Sequence, residues 1–422
     1  MSKSILFFLT DPDLVELEWI LPVMAEFKKA SYHVMTLFAE PPHSTKSKIF
    51  IEIANELSDE VQSLDDFEVV PTSVLKKVRQ LRNRRFPLSK TDSFYFGNAG
   101  RLLGVEKQRK RWLQHSLGKW LRRQSPMGIF LSHRKRSPQL SFQLWEFVLD
   151  VAQQQKIPII GFPPAANVDF LKKNYLMPYD LTLVTSKAQA DFLRPQAPNP
   201  VTAIGAPQLD PTWIEFLKNA YESKYPNHPA IPQDREIILV VLKNDTSVVW
   251  NTIDYVETTQ SLIRQLIRKD RFLILKPHPR QTLPSLKKLL AEFSEEDYRI
   301  DFAPIAYWLY HADRCVSLFS GGSVHSLALG KVSYVYWPVS EVCQQRLERG
   351  EDQELYEYIQ YHPESKSYST QFDAFAVVTT APQLDLKPMD ATPFLKHFES
   401  YYQAKGSAER LRLICESHFS KK

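Results

Sequence analysis

The stretch RFLILKPHPRQ, Arg271 to Gln281, ends an apolar run in Lys276, Pro277, His278, Pro279 and Arg280. Two prolines restrict the backbone on either side of His278, so its imidazole has less freedom to lose when it binds something. Lys276, His278 and Arg280 bring three cationic or titratable side chains to one strand end, which suits a phosphate or diphosphate. The plainer reading is a surface loop in which prolines terminate a strand.

A second stretch, SLFSGGSVHSLALGK, occupies residues 317–331 and holds the adjacent pair Gly321 and Gly322. Glycine is scarce: the chain has 12, against roughly 30 at ordinary usage. An apolar run (Val316, Leu318, Phe319) precedes the pair and a helix-forming run (Val324, Leu327, Ala328, Leu329) follows it. Ser320, Gly321, Gly322 and Ser323 are therefore expected where a strand turns into a helix. There glycines would admit a phosphate close to the backbone, and amides and hydroxyls could meet it. A tight connection capped by Ser323 accounts for the same residues.

Transfer to a hydroxyl needs a base. Asp11, Asp13 and Glu16 follow the first apolar run, and Asp11 is the candidate. Asp11-Pro12-Asp13 spells an Asp-x-Asp pattern, but its place directly after a strand is wrong for a metal site, and Asp13 suits a helix N-cap. His133, after another apolar run, is the alternative base. Cys315, Cys343 and Cys415 have neither metal-type nor redox-type spacing, which fits a reducing compartment and excludes a Cys-x-x-Cys zinc site and a disulfide framework; no cofactor is expected.

Positioning these residues requires strands that alternate with helices. Ile5–Leu9, a helix through Leu17, Ile20, Leu21, Met24 and Phe27, and Tyr32–Phe38 form a βαβ opening, with Pro22 expected to kink the helix or shift its start. Short apolar runs recur at Gly128–Leu131, Ile157–Ile160, Leu181–Val184 and Val201–Ile204. A second set comprises Ile237–Leu242, Phe272–Leu275, Cys315–Phe319 and Val332–Tyr336. Between the sets lies KYPNHPAIPQD (Lys224–Asp234), with three prolines and no periodicity. The fold class expected is α/β: two Rossmann-like, doubly wound parallel sheets facing a cleft. The first domain spans 1–222, a linker 223–235, and the second domain 236–422. The segment from Phe394 to Phe419 is expected to form one or two helices packing on either half.

A length of 422 residues suits two domains. No run approaches the ~18 apolar residues of a membrane span, and MSKSILFFLTDPD has too short an apolar run for a signal-peptide core. A cytoplasmic protein is expected. The net charge of +5 hides an asymmetry: Leu75–Arg123 holds fifteen Lys or Arg against Asp92 and Glu106, leaving the rest of the chain acidic. Within this insertion, Val105, Trp112, Leu113, Leu117, Trp120 and Leu121 fall along one helix face, ringed by basic residues. Such a helix could meet an anionic membrane surface or a polyanionic acceptor, or pack conventionally on its tryptophans. Nucleic acid is not expected, because no recognised binding module accompanies the charge.

KPHPR, followed about forty residues later by a strand, a serine-containing turn and a helix ending in Gly330-Lys331, resembles the second domain of bacterial GT-B transferases of surface polysaccharide biosynthesis. That group includes capsule glycosyltransferases and CDP-glycerol glycerophosphotransferases. IGAPQLDPTW (Ile204–Trp213) is similar to the Gly-x-Pro segment closing their first domain, and KIPIIGFPPAANV (Lys156–Val168) resembles a strand and loop at their cleft. The resemblance implies a metal-independent transferase that moves a sugar or glycerophosphate from a nucleotide-activated donor to a polysaccharide or lipid-linked acceptor. Lys276, His278, Arg280, Ser320, Gly321, Gly322, Ser323 and His325 would bind the donor, with His278 at its phosphate. Where the family helix commonly carries a glutamate, this sequence has His325, which offers a hydroxyl one donor or acceptor rather than two oxygens. Two alternatives stay open. One is a nucleotide-sugar 2-epimerase of the same fold, although the acidic pair usual after its Ser-Gly-Gly turn is replaced by His325 and Ser326. The other is a non-catalytic polyanion-binding relative.

Overall fold

The computed structural model describes residues 3–9, 14–39, 48–67, 105–133, 144–163, 179–229, 232–243, 252–278, 281–318, 320–336, 345, 349, 359–362, 367–370, 373–379, 384, 386–387 and 389–420. In chain order the first half contains β1 (Ser4–Leu9), α1 (Leu14–Lys29), β2 (His33–Phe38), α2 (Lys48–Leu57), β3 (Glu60–Ser63), α3 (Val105–Gln124), β4 (Ile129–Ser132), α4 (Leu144–Gln154), β5 (Ile159–Phe162), β6 (Leu181–Val184), α5 (Lys187–Leu193), β7 (Val201–Ala203) and α6 (Pro211–Lys224). The second half contains β8 (Glu236–Val241), α7 (Thr252–Leu266), β9 (Arg271–Lys276), α8 (Leu283–Leu289), β10 (Tyr298–Ile300), α9 (Ile305–His311), β11 (Arg314–Ser317), α10 (Gly322–Ala328), β12 (Ser333–Tyr336), β13 (Ile359–His362), β14 (Ser367–Thr370), β15 (Val377–Thr379), α11 (Thr392–Tyr402) and α12 (Ser407–Phe419).

Two parallel sheets result. The first has the order β3-β2-β1-β4-β5-β6-β7, and the second β10-β9-β8-β11-β12-β15; β13 and β14 form an antiparallel hairpin. The order reverses direction between β1 and β4 in one sheet and between β8 and β11 in the other. Crevices at such reversals, outside the carboxyl ends of the strands, are where doubly wound sheets bind ligands.

Helices cover both faces of the first sheet, which explains why β1 is buried along its whole length and apolar from Ile5 to Leu9. Ile5, Phe7 and Leu9 point toward α1, α2, α6 and α12, while Leu6 and Phe8 point toward α3 and α4. The helix α1 runs through Pro22 without ending there. The C-terminal part of the basic helix α3 packs conventionally: Leu117, Trp120 and Leu121 are buried against the sheet. Trp120 Nε1 donates to Glu60 Oε1 at 2.8 Å, and Gln124 Nε2 to Glu60 Oε2 at 2.6 Å. Lys119, Arg122 and Arg123 stay exposed. The basic segment before Val105, and the side chains of residues 105–113 with Val105, Trp112 and Leu113 among them, lie outside what is described.

In the second sheet, Ile238 and Val240 pack under α7 and α8, and Ile237, Leu239 and Val241 pack under α9. Among the described residues the two halves meet in at least three places. Helix α9 packs on α6. The segment after α6 is pinned, since His228 Nε2 lies 2.8 Å from Asp301 Oδ2. The terminal helices cross over: α11 packs on α10, whereas α12 returns to the first sheet, burying Leu411, Cys415 and Phe419 with β1 and α1.

IGAPQLD forms the seat of that crossing. Ala206 N–H donates to the Tyr402 carbonyl at 2.8 Å, and Asp210 accepts from Gly406 N–H at 2.6 Å while capping α6. Gly205 has φ 94°, and a Cβ there would lie 2.6 Å from the carbonyl oxygens of Tyr402 and Gln403, so only glycine fits.

Candidate functional site

The strand β9 delivers Lys276 and His278 toward the cleft because its carboxyl end lies beside that of β8, which borders the reversal in strand order. Lys276 is buried, and its Nζ approaches the Phe302 carbonyl at 3.5 Å. Burial lowers the Lys276 ammonium to about 8, with the carboxylates of Glu18 and Asp301 opposing that shift. His278 is half-buried. Its backbone N–H donates to Gln281 Oε1 at 2.7 Å, and its carbonyl accepts from Gln281 N–H at 2.9 Å. The buried Gln281 also bonds Tyr255, so one glutamine clamps the turn to α7. Nothing in the run KPHPRQ marked Gln281 as a clamp, because its partner Tyr255 is distant in sequence. Arg280 and Pro279 lie outside the described residues.

Across β8, the strand β11 leads to the serine–glycine turn. Ser320 is half-buried, and its Oγ accepts weakly from Gly322 N–H at 3.4 Å. The Ser320 carbonyl accepts from Ser323 N–H at 3.1 Å and from Ser323 Oγ at 2.8 Å, while the Gly321 carbonyl accepts from Val324 N–H at 3.1 Å. The turn thus engages the amides of Gly322, Ser323 and Val324 itself, and Ser323 is a buried structural serine. The two glycines differ. Gly321 is exposed with open space where a Cβ would stand, whereas a Cβ on Gly322 would meet Val241 Cγ1 at 2.9 Å and Ile305 Cδ1 at 3.0 Å. Gly330 has φ 73°, closing α10, and Lys331 Nζ donates to the carbonyls of Leu309 and Ala312 at the end of α9.

The first sheet contributes α1 from its own reversal point. Glu16 is buried and accepts from Ser132 Oγ at the end of β4, tying the first turn of α1 to that strand. Asp11 and Asp13 lie outside the described residues. His133 is a core residue: it is 1% exposed, donates Nε2–H to the Leu183 carbonyl at 2.8 Å, and is held down to about 4 by burial. An imidazole so enclosed is neutral and out of substrate reach, which removes it as the alternative base.

One carboxylate escaped the sequence reading. Glu18, one turn into α1, reaches across to the second half, where burial raises it to about 7 and Lys276 pulls it back down. It lines a small enclosed cavity of about 10 Å³ with Gln208, Ile305 and His325. His325 lies on α10, and burial holds its ring down to about 4, against an upward pull from the Gly321 carbonyl one turn earlier. Among the described residues, neither His325 Nδ1 nor Gln208 Oε1 makes a hydrogen bond of good geometry, although both atoms are fully buried. The sequence signal for Glu18 was its position between the core residues Leu17 and Trp19, on the edge of the apolar stripe. A second cavity of about 300 Å³ opens between Tyr221, Tyr225, His228, Asp301 and Lys48.

No family model matches this sequence, and no curated protein matches it. Solved structures do resemble it along the whole chain. The UDP-GlcNAc 2-epimerase from Neisseria meningitidis bound to UDP-GlcNAc is 12% identical at a TM-score of 0.54, covering 98% of this chain and 100% of that one. The UDP-GlcNAc 2-epimerase from Methanocaldococcus jannaschii is 12% identical at a TM-score of 0.55, covering 98% and 99%. At such identities the likeness concerns the fold: two Rossmann-like domains facing a cleft, the GT-B arrangement. No helix among the described residues is long and apolar enough to cross a membrane.

Proposed function

We propose that the protein is an enzyme that binds a nucleotide-activated donor in this cleft and transfers its sugar, or a glycerophosphate, to a hydroxyl of a surface polysaccharide or glycolipid. The observation that carries the reading is the placement of Lys276 and His278 after β9 and of Ser320 and Gly321 after β11, on the two sides of β8. A cation, an imidazole, a hydroxyl and an exposed glycine at a strand-order reversal match the needs of a diphosphate. The leaving phosphate would be stabilised by Lys276, His278 and Arg280 rather than by a metal. Asp11 is the base toward the acceptor. The exposed Lys119, Arg122 and Arg123 of α3 offer the acceptor or an anionic membrane face an electrostatic contact, since Leu117, Trp120 and Leu121 on the same stretch are committed to the core.

Epimerisation of a nucleotide sugar is the second reading, favoured by end-to-end likeness to the two epimerase structures. Thermal shift with uridine, cytidine, guanosine and adenosine diphosphate sugars tests the donor. One nucleotide should stabilise the protein, and His278→Ala should weaken that effect at least tenfold in concentration. Absence of any shift, with His278→Ala indistinguishable from the parent, would sink the reading. Incubation in deuterated water separates the two chemistries, because only epimerisation places solvent deuterium in the sugar without an acceptor.

A further inference from the structure

The turn Pro277-His278-Pro279 has a single backbone N–H, that of His278, because neither proline carries one. That N–H is donated to Gln281 Oε1 at 2.7 Å, and the His278 carbonyl accepts from Gln281 N–H at 2.9 Å. One residue therefore holds both polar backbone groups of the histidine. The start of α8 does not call for this arrangement. Thr282 is the N-cap of that helix and accepts from Ser285 N–H at 3.4 Å, so Gln281 stands before the helix with its side chain turned back to His278.

The far end of the amide is anchored as well. Gln281 Nε2 donates to the Tyr255 hydroxyl on α7, and both side chains are buried. Tyr255 belongs to the apolar cluster that holds Leu275, directly before Lys276, and Leu318, two positions before Ser320. The clamp thus ties His278 to the helix that follows β8, the strand lying between β9 and β11. A neutral amide does this without bringing negative charge to the strand end that carries Lys276.

We propose that Gln281 is a positioning residue: through Tyr255 it fixes the backbone of His278, and so the direction in which the imidazole meets the donor's phosphate. The inference rests on the nucleotide-donor reading above. The rotamers open to a side chain depend on its own φ and ψ, so a backbone held at both N–H and C=O leaves the imidazole few orientations to lose on binding. Gln281 acts through His278 and needs no contact with the ligand.

The test is calorimetric titration of the intact protein with the four nucleotide sugars, in the parent, Gln281→Leu, Tyr255→Phe, His278→Ala and the double variant Gln281→Leu with His278→Ala. For the sugar that binds, Gln281→Leu should weaken affinity about five- to tenfold and Tyr255→Phe about two- to fivefold. Once His278 is alanine, Gln281→Leu should weaken affinity by less than about twofold more, because its effect passes through the imidazole. The NMR signal of the His278 imidazole, assigned by its loss in His278→Ala, should move in free Gln281→Leu and Tyr255→Phe while that of the core residue His133 stays in place. A general loosening of the fold would not give that pattern. Tyr255→Phe keeps the buried ring and carries the test should Gln281→Leu fail to fold. Affinity equal to the parent in both single variants, or a loss as large in the His278→Ala background as in the parent, overturns the assignment of Gln281 alone. A parent that binds none of the four sugars overturns the donor reading and this inference together.

Discussion

Gly322 abuts Val241: a Cβ at the glycine would stand 2.9 Å from the valine Cγ1. The second glycine of the pair is therefore demanded by the packing of α10 against β8, whereas at Gly321, which is exposed, an added Cβ would meet no atom of the described residues within 4 Å, so it is the one with room for a ligand. Gly322→Ala should cost about 1–3 kcal/mol in urea unfolding through overpacking. Gly321→Ala, at a right-handed φ of −56°, should leave stability nearly unchanged yet weaken nucleotide-induced stabilisation. Equal losses of stability in the two variants would refute this division of labour.

The pH dependence of stability should carry opposing contributions. Glu18, raised from 4.5 to about 7, holds a proton in the folded chain that unfolding releases, so its contribution falls as pH rises through that window. His133 and His325, lowered from 6.5 to about 4, stay neutral when folded and take up protons on unfolding, so theirs rises between those values. The melting temperature of Glu18→Gln relative to the parent should climb from about pH 5 to about pH 8, and that of His325→Gln should fall over about pH 4 to 7. Differences that do not vary with pH would show that these groups keep ordinary affinities for protons.

Truncating Trp120 to alanine should destabilise the protein by about 3–5 kcal/mol, because the ring is buried between α3 and the sheet and its N–H is bonded to Glu60. Replacing Arg122 and Arg123 with glutamine should shift stability by no more than about 0.5 kcal/mol. If the basic face meets a polyanion, the same double change should reduce retention on anionic vesicles or an acidic polysaccharide, and raising salt should mimic it. Retention that resists salt would argue for a different surface.

Much of the architecture was legible before any coordinates. The strands that are central in each sheet are buried on both faces, so they read as continuous apolar runs, and those runs coincide with β1, β2, β4 to β6, β8, β9, β11 and β12. Of the edge elements, β7 was legible as the run Val201–Ile204, whereas the others were not. The strand β3 (EVQS) is polar and only partly buried, and β10 (YRI) is three half-buried residues long, so neither carries a hydrophobic signal. The return of α12 to the first sheet was left open because an amphipathic helix states that it has a partner without saying which one.

The sequence alone determined which residue types could meet a phosphate and at which strand ends they lie, because strand periodicity and backbone chemistry are local. Only the tertiary structure decided what each of them does. The order of strands put Lys276 and Ser320 on opposite sides of β8, and packing turned Gly322, Ser323 and His133 into parts of the scaffold. Closure of the first half against the second set Glu18 and His325 on one small cavity, 307 positions apart in the chain. Such a meeting depends on the fold of everything between them, and no local pattern in either segment encodes it.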